Sequence, residues 1–327
     1  MQEQRVLGQS GIKVSPVGLG CMGFSHAYGA PTEKGQAIRM IRKAFDMGYT
    51  FFDTAECYTG INPDGSISYN EELVGEALKP VRDQVVIATK MGITFTPDGA
   101  VLDSSPEKIR TSVESSLKRL GTDYIDLYYQ HRIDPKVEPE VVAETMGQLI
   151  KEGKIRAWGI SETGEEYLRR AHAVTPVAAI QNRYSMLARE YEPLFPVLEE
   201  LNIALVAFSP MGNGFLTGAY KATDTFVGGV DYRSHMPQYT PEGFAAAEKL
   251  MDLLADLGRE KNASSGQLSL AWMLCKKPWI IPIPGSRKEA RILENLNSQH
   301  VILTPEEINR IDSLLDTLKM PVYGQRG

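Results

Sequence analysis

Short runs rich in β-branched and aromatic residues recur along the chain, separated by segments whose apolar residues return every three or four positions. Eight such runs stand out: Val17 to Cys21, Thr50 to Phe52, Val85 to Ala88, Ile125 to Tyr129, Ile155 to Ile160, Val177 to Ile180, Ala204 to Phe208 and Ile280 to Ile283. In the clearest intervening segment Ser105 is placed to cap and Pro106 suits the first turn. Ile109, Val113, Leu117 and Leu120 then share one face, and Gly121 ends the helix. Strand followed by helix, repeated, requires a parallel sheet. Eight repeats predict a (β/α)8 TIM barrel, occupying residues 1–327 as a single domain. Arg5-Val6-Leu7 and Ile12-Lys13-Val14 flank the turn-rich Gly8-Gln9-Ser10-Gly11, which predicts an N-terminal β-hairpin able to plug the bottom of the barrel. The most irregular stretch, Asn213 to Thr240, is too long for a passive connection and reads as an active-site loop.

Bulk properties narrow the setting. A length of 327 residues exceeds the rough guide of ~150 per domain, but α/β barrels commonly do so as one unit. Apolar residues at 43% and charged residues at 23% are ordinary for a globular protein and exclude a disordered or fibrous chain. No run approaches the ~18 apolar residues of a membrane span, and Met1-Gln2-Glu3-Gln4-Arg5 lacks a signal-peptide core, so the chain is expected to be cytoplasmic. Cys21, Cys57 and Cys275 are widely spaced, and no His/Cys cluster has metal-ligand spacing; no metal site is expected. Cys57 shows no basic neighbour in sequence and reads as a packing residue. A net charge of −6 argues against a nucleic-acid partner.

Gly18-Leu19-Gly20-Cys21-Met22-Gly23 matches the GxGxxG pattern of a dinucleotide fold, yet its context does not. No helix opens within the glycines, and the next strand-end acid, Asp53, lies beyond the usual ~20-residue spacing. The segment reads instead as a tight turn leaving the first barrel strand.

In a (β/α)8 barrel the chemistry sits where strands end. The second run ends in Asp53 with Tyr58 close behind, the third in Lys90, and the fourth in His131. The fifth ends in Ser161-Glu162, the sixth in Gln181-Asn182, the seventh in Ser209, and the eighth leads to Gly285-Ser286-Arg287. Taken singly, each has a structural reading as a cap, a loop aromatic, a solvated strand end or a core histidine. Together, at successive strand ends, they point to one face.

Phe52-Asp53-Thr54-Ala55-Glu56-Cys57-Tyr58, Ala88-Thr89-Lys90, Asp123 to His131 and Ile283-Pro284-Gly285-Ser286-Arg287 resemble the aldo-keto reductase superfamily, from about Leu7 to about Thr317. The resemblance implies a barrel that binds NADPH without a dinucleotide domain and reduces aldehyde or ketone carbonyls. It also implies a catalytic tetrad of Asp53, Tyr58, Lys90 and His131. Such residue types suit hydride transfer, because a carbonyl receiving hydride needs a proton donor at oxygen. A phenol can serve, a neighbouring ammonium would lower its pKa from ~10, and a carboxylate would hold the ammonium. His131 would orient and polarise the carbonyl oxygen.

Ser286-Arg287-Lys288-Glu289 reads as a capping box opening the last helix, and equally as a phosphate site. By resemblance Ser286, Arg287 and Arg291 take the adenosine 2′-phosphate, Glu294 and Asn295 reach the adenine, and Gly285 lies beside them. Ser161, Glu162 and Gln181 correspond to positions that meet the nicotinamide carboxamide, although a Glu162 carboxylate can accept but not donate. Phe208 takes the place of an aromatic under the nicotinamide ring, Ser209, Pro210, Met211 and Gly212 run along the pyrophosphate, and Asn213 to Thr240 closes over it. Met22, Phe24, Arg132 and Met186 are candidate pocket walls. Some members of the family serve as channel-associated subunits, so a nucleotide-sensing regulatory subunit is the alternative to an enzyme, and a phosphate-binding barrel isomerase a third reading.

Overall fold

The computed structural model describes residues 4–226, 231–320 and 322. Eight parallel strands form the sheet: β1 (Leu19–Gly20), β2 (Phe51–Asp53), β3 (Val86–Met91), β4 (Ile125–Gln130), β5 (Ile155–Ser161), β6 (Ala179–Arg183), β7 (Ala204–Phe208) and β8 (Ile280–Pro282), paired in chain order. The Gly18 N–H donates to the Pro282 carbonyl at 2.9 Å and the Gly20 N–H to the Pro284 carbonyl at 3.2 Å, so the first and last strands meet and the sheet closes into a (β/α)8 barrel.

Two apolar layers follow from the two-residue period of the strands. Phe51, Val86, Ala88, Leu127, Tyr129, Val206 and Ile281 fill the interior, whereas Phe52, Ile87, Tyr128, Leu205 and Ile280 face the surrounding helices. The expected hairpin is present, with Arg5–Val6 antiparallel to Lys13–Val14. Its Leu7, Ile12 and Val14 are buried in the interior layer, which makes it the floor of the barrel. The helix Pro106–Leu120 has the predicted ends: the Ser105 hydroxyl accepts from the Lys108 N–H, and Gly121 closes it at φ 62°.

Strands β2 to β6 end later than their apolar runs, whereas β1 and β8 stop one residue short, at Gly20 and Pro282. β3 continues through Thr89, Lys90 and Met91, and β6 through Gln181, Asn182 and Arg183, because Thr89, Lys90, Gln181 and Asn182 find buried partners in Glu71, Asp53 and Thr163 and the ladder need not stop with the apolar run. The expected capping box at Ser286 is a correction. Ser286 Oγ accepts from the Lys288 N–H, and the helix starts three residues further on, at Glu289–Asn297, with Lys288 at the cap position. Nor is it the last helix. Pro305–Thr317 follows, opened by a true capping box between Thr304 and Glu307.

The glycine motif belongs to the seam. A Cβ on Gly20 would stand 2.7 Å from the Ile283 carbonyl oxygen, and one on Gly285 would stand 2.6 Å from the Gly20 carbonyl oxygen. The obstructing atoms are backbone and cannot swing aside, so Gly20→Ala is expected to destabilise the fold by roughly 1–3 kcal/mol. A urea midpoint indistinguishable from the parent's would show that the seam tolerates a methyl group.

Candidate active site

The Lys90 side chain, fully buried in β3, is the centre of the upper barrel. Its ammonium donates to Asp53 Oδ1 at 2.5 Å, to the Thr54 carbonyl at 2.7 Å and to Tyr58 Oη at 3.2 Å. Register explains the convergence: Asp53 at the end of β2 lies opposite Ala88 of β3, and the chain leaving β2 passes over Lys90 before turning back at Tyr58. The second carboxylate oxygen of Asp53 accepts from Gln181 Nε2 at 2.7 Å, across the barrel on β6. His131 follows β4, its N–H held by the Met91 carbonyl, and its ring meets that of Tyr58 edge-on at 5.7 Å. The structure thus brings Asp53, Tyr58, Lys90 and His131 together.

Burial dominates the electrostatics. It pushes the Asp53 carboxyl up, against the pull of Lys90 and Gln181. It also opposes the charge on Lys90, but Asp53 and Tyr58 outweigh it and hold the ammonium above its ordinary pKa. Every N–H of Lys90 is satisfied, and Asp53 Oδ1 stands at 2.5 Å, which gives an ammonium without water the acceptors it needs. The expected lowering of the Tyr58 pKa does not occur. Lys90 does pull it down, but burial and the negative Asp53 push harder, and the phenol is raised to about 12. Burial, reinforced by the positive charges of Lys90 and Arg132, holds His131 well below the ordinary histidine range.

The reading of Cys57 as packing alone is also corrected: its Sγ lies 3.5 Å from His131 Nδ1. His26 escaped the sequence reading altogether. It stacks on Tyr58 on one side and Phe95 on the other, at 5.9 and 5.8 Å, and its Nδ1 is 2.8 Å from the Thr59 carbonyl oxygen. Neither residue leaves a local signal, since the Thr59 carbonyl bonded by His26 lies 33 residues away and the imidazole beside Cys57 lies 74.

The remaining strand-end residues line the same mouth. Ser161 Oγ donates to the Gln181 carbonyl at 2.8 Å and accepts from Arg132 Nη1 at 3.0 Å. Glu162, at φ 57°, accepts from the Arg183 N–H at 3.0 Å and from the Tyr191 hydroxyl at 3.3 Å, so both its oxygens are engaged by the protein. Phe208 is half-buried at the end of β7, with the Arg132 guanidinium 5.9 Å from its ring centre. Beyond it the backbone of Ser209, Pro210, Met211 and Gly212 is compact: Ser209 and Gly212 have φ of 50° and 55°, and Gly212 donates to the Ser209 carbonyl. Successive N–H groups in such a turn can cradle an anion.

On the opposite rim Gly285 is held in the seam, and Arg287 donates to the Gly23 and Ala30 carbonyls, clamping the loop after β1. Ser286, Lys288 and Arg291 surround the start of the helix Glu289–Asn297. Arg291 pairs with Glu294 at 2.5 Å, Glu294 also accepts from Ser264, and Asn295 is buried. The long loop carries short helical turns at Gly212–Thr217, Tyr232–His235 and Pro237–Tyr239. It reaches the loop after β1 through Asn213 Nδ2 to Tyr28 Oη at 3.0 Å and Tyr232 N–H to the Ala27 carbonyl at 3.0 Å. Residues 227–230 of that stretch lie outside the described residues. No group of three potential metal ligands occurs among the described residues, and no described helix is long and apolar enough to cross a membrane.

Residues 16–316 match the model of the Aldo/keto reductase family. The chain belongs to the aldo/keto reductase family. This aldo/keto reductase is 38% identical to "Aldo-keto reductase str7" of Strobilurus tenacellus, over 97% of its own length and 93% of the relative's. To "Probable aldo-keto reductase 1" of Glycine max it is 37% identical, over 93% and 86% of the two chains. Among solved structures it is similar to a glycerol dehydrogenase of Gluconobacter oxydans, with TM-score 0.86, 28% identity and coverage of 100% and 99%. It is also similar to an aldo-keto reductase of Bacillus halodurans solved in a holo form, with TM-score 0.77, 27% identity and coverage of 99% of each chain.

A buried imidazole surrounded by positive charge should not titrate in the usual place. The His131 ring resonances are expected to stay fixed as the pH falls through ~6.5, the midpoint of an unperturbed histidine. A midpoint at the ordinary value, followed by NMR in histidine-labelled protein, would contradict the buried, positively surrounded site described above.

Proposed function

We propose that this chain reduces aldehyde or ketone carbonyls to alcohols with NADPH, as a single-domain enzyme of the 1.1.1 type. The observation that carries the reading is the Lys90 ammonium bonded at once to Asp53 and to the Tyr58 hydroxyl, with His131 against the same phenol.

NADPH, when bound, supplies the hydride. Tyr58 acts as the general acid: its O–H proton goes to the carbonyl oxygen as that oxygen becomes an alkoxide, and the electron pair of the O–H bond stays on the phenolate. A phenol pKa near 12 keeps the proton in place throughout the neutral range. Lys90 stabilises the phenolate left behind, and Asp53 keeps Lys90 charged and fixed. His131, neutral, presents an N–H to the carbonyl oxygen and sets its direction. Water returns the proton to Tyr58 after the alcohol leaves.

The donor groups fit the cofactor. In a chain of net charge −6, Arg287, Lys288 and Arg291 gather with Ser286 at a helix N-terminus, which suits a 2′-phosphate, while Glu294 and Asn295 stand beside them for the adenine. The Ser209 to Gly212 turn suits the pyrophosphate, Phe208 offers a ring face to the nicotinamide, and Ser161 and Gln181 offer polar groups to its carboxamide. Glu162 acts by holding β6 in register through the Arg183 N–H. The holo form of the Bacillus halodurans relative supports a bound cofactor. Three free cysteines support a reducing, cytoplasmic setting.

Tyr58→Phe is expected to lower the turnover of a carbonyl substrate by ~10² to 10⁴ while leaving NADPH fluorescence titrations unchanged. Near-parental turnover in that variant would remove the phenol from the mechanism, and parental enzyme with no saturable NADPH oxidation across an aldehyde and ketone panel would favour the nucleotide-sensing reading. Arg291→Ala is expected to weaken NADPH roughly ten- to hundredfold and NADH far less, because only NADPH carries the extra phosphate. Equal losses for the two cofactors would move the phosphate site elsewhere.

A further inference from the structure

Cys57 immediately precedes Tyr58 and is held in a tight turn by the Tyr58 N–H to Ala55 carbonyl and Thr59 N–H to Cys57 carbonyl bonds, at 3.1 and 2.9 Å. Its side chain is buried against Ala55 and Ile93, with Sγ 3.5 Å from His131 Nδ1. The other ring nitrogen, Nε2, has no hydrogen-bond partner among the described residues.

A neutral imidazole carries one N–H, and the group facing one nitrogen decides what the other presents. His131 is neutral for the reasons given above, and burial raises the Cys57 thiol to about 12, so the sulfur keeps its proton. Two arrangements are then possible. If Nδ1 carried the proton, the sulfur would have to accept, which it does poorly, and its own S–H would be left without an acceptor. Nε2 would also turn a lone pair toward any carbonyl oxygen in the mouth. If the thiol donates to Nδ1, a good acceptor is matched to the donor beside it, and Nε2 carries the proton.

We propose that the Cys57 thiol donates to His131 Nδ1 and fixes the ring as its Nε2–H tautomer, which makes Cys57 the positioning residue of the carbonyl-orienting group. The benefit to catalysis rests on the function proposed above, whereas the tautomer itself does not.

The test is ¹⁵N NMR of the histidine rings, with His131 assigned by its loss in His131→Asn, in the parent, Cys57→Ser and Cys57→Ala. The expected result is an Nε2–H tautomer in the parent, retained when serine supplies an O–H donor, and a mixture of tautomers in the alanine variant. The kcat for carbonyl reduction at saturating NADPH should fall roughly three- to tenfold in Cys57→Ala and recover in Cys57→Ser. Should the alanine variant fail to fold, the S–H infrared stretch lost between parent and Cys57→Ser reports the same bond, lowered in frequency if the thiol donates. A parental spectrum with the proton on Nδ1, an unchanged tautomer in Cys57→Ala, equal kcat losses in both variants, or an unshifted S–H band overturns the proposal. A parent inactive on every carbonyl but with the expected spectra would overturn the function and leave the tautomer assignment standing.

Discussion

An ammonium without access to water is the constraint around which the upper half of this barrel is arranged. Taking Lys90 out of water costs several kcal/mol even after relaxation, and only a complete set of acceptors offsets it. Asp53, Thr54 and Tyr58 provide that set, and Gln181 completes the carboxylate from the far side. Strands β2, β3 and β6 are therefore tied together by polar bonds where most strands rely on ladder and apolar contact. Loss of either charged partner would leave the other buried and uncompensated, at about 3–5 kcal/mol. The same dryness that makes the pair costly keeps a phenol protonated and an imidazole neutral beside it, so one environment sets the charge state of all four groups.

The glycines show how backbone geometry can imitate a binding motif. Gly18 and Gly20 are spaced as in a dinucleotide loop, but Gly20 permits the close approach of backbone to backbone at the barrel seam, and Gly18 leaves room for the Phe51 and Ile283 side chains. Both structures need a backbone without a side chain, and only the chain that follows separates them. Phe24 to Pro31 contains no helix beyond a single turn at Met22–Phe24, and that was readable in the sequence.

Strand order, the hairpin floor and the meeting of Asp53, Tyr58, Lys90 and His131 were legible because each depends on a period or on a polar residue placed just past an apolar run. What escaped depends on three dimensions. The strands outlast their apolar runs because Thr89, Lys90, Gln181 and Asn182 find buried partners in Glu71, Asp53 and Thr163, which hydrophobicity cannot report. Cys57 and His26 take their meaning from partners brought close only by the fold. The sign of the Tyr58 shift was misjudged because the charge of Lys90 is visible in sequence while the depth of burial is not. Ser286 satisfies the capping-box pattern, yet its hydroxyl is spent on the Lys288 N–H in the turn that swings the chain off the seam.

The seam joins residues near the beginning of the chain to residues near its end. A ribosome therefore delivers Asp53, Lys90 and His131 long before it delivers Pro282 and Pro284. Until the eighth strand emerges, the nascent sheet has two unpaired edges, and the interior layer of Phe51, Val86 and Leu127 is open to water along that gap. The hairpin floor is synthesised before the eight strands, but it has nothing to stand under until the circle closes. For this chain, vectorial synthesis cannot complete the core piece by piece, and the dry environment on which its polar centre depends is among the last features to form.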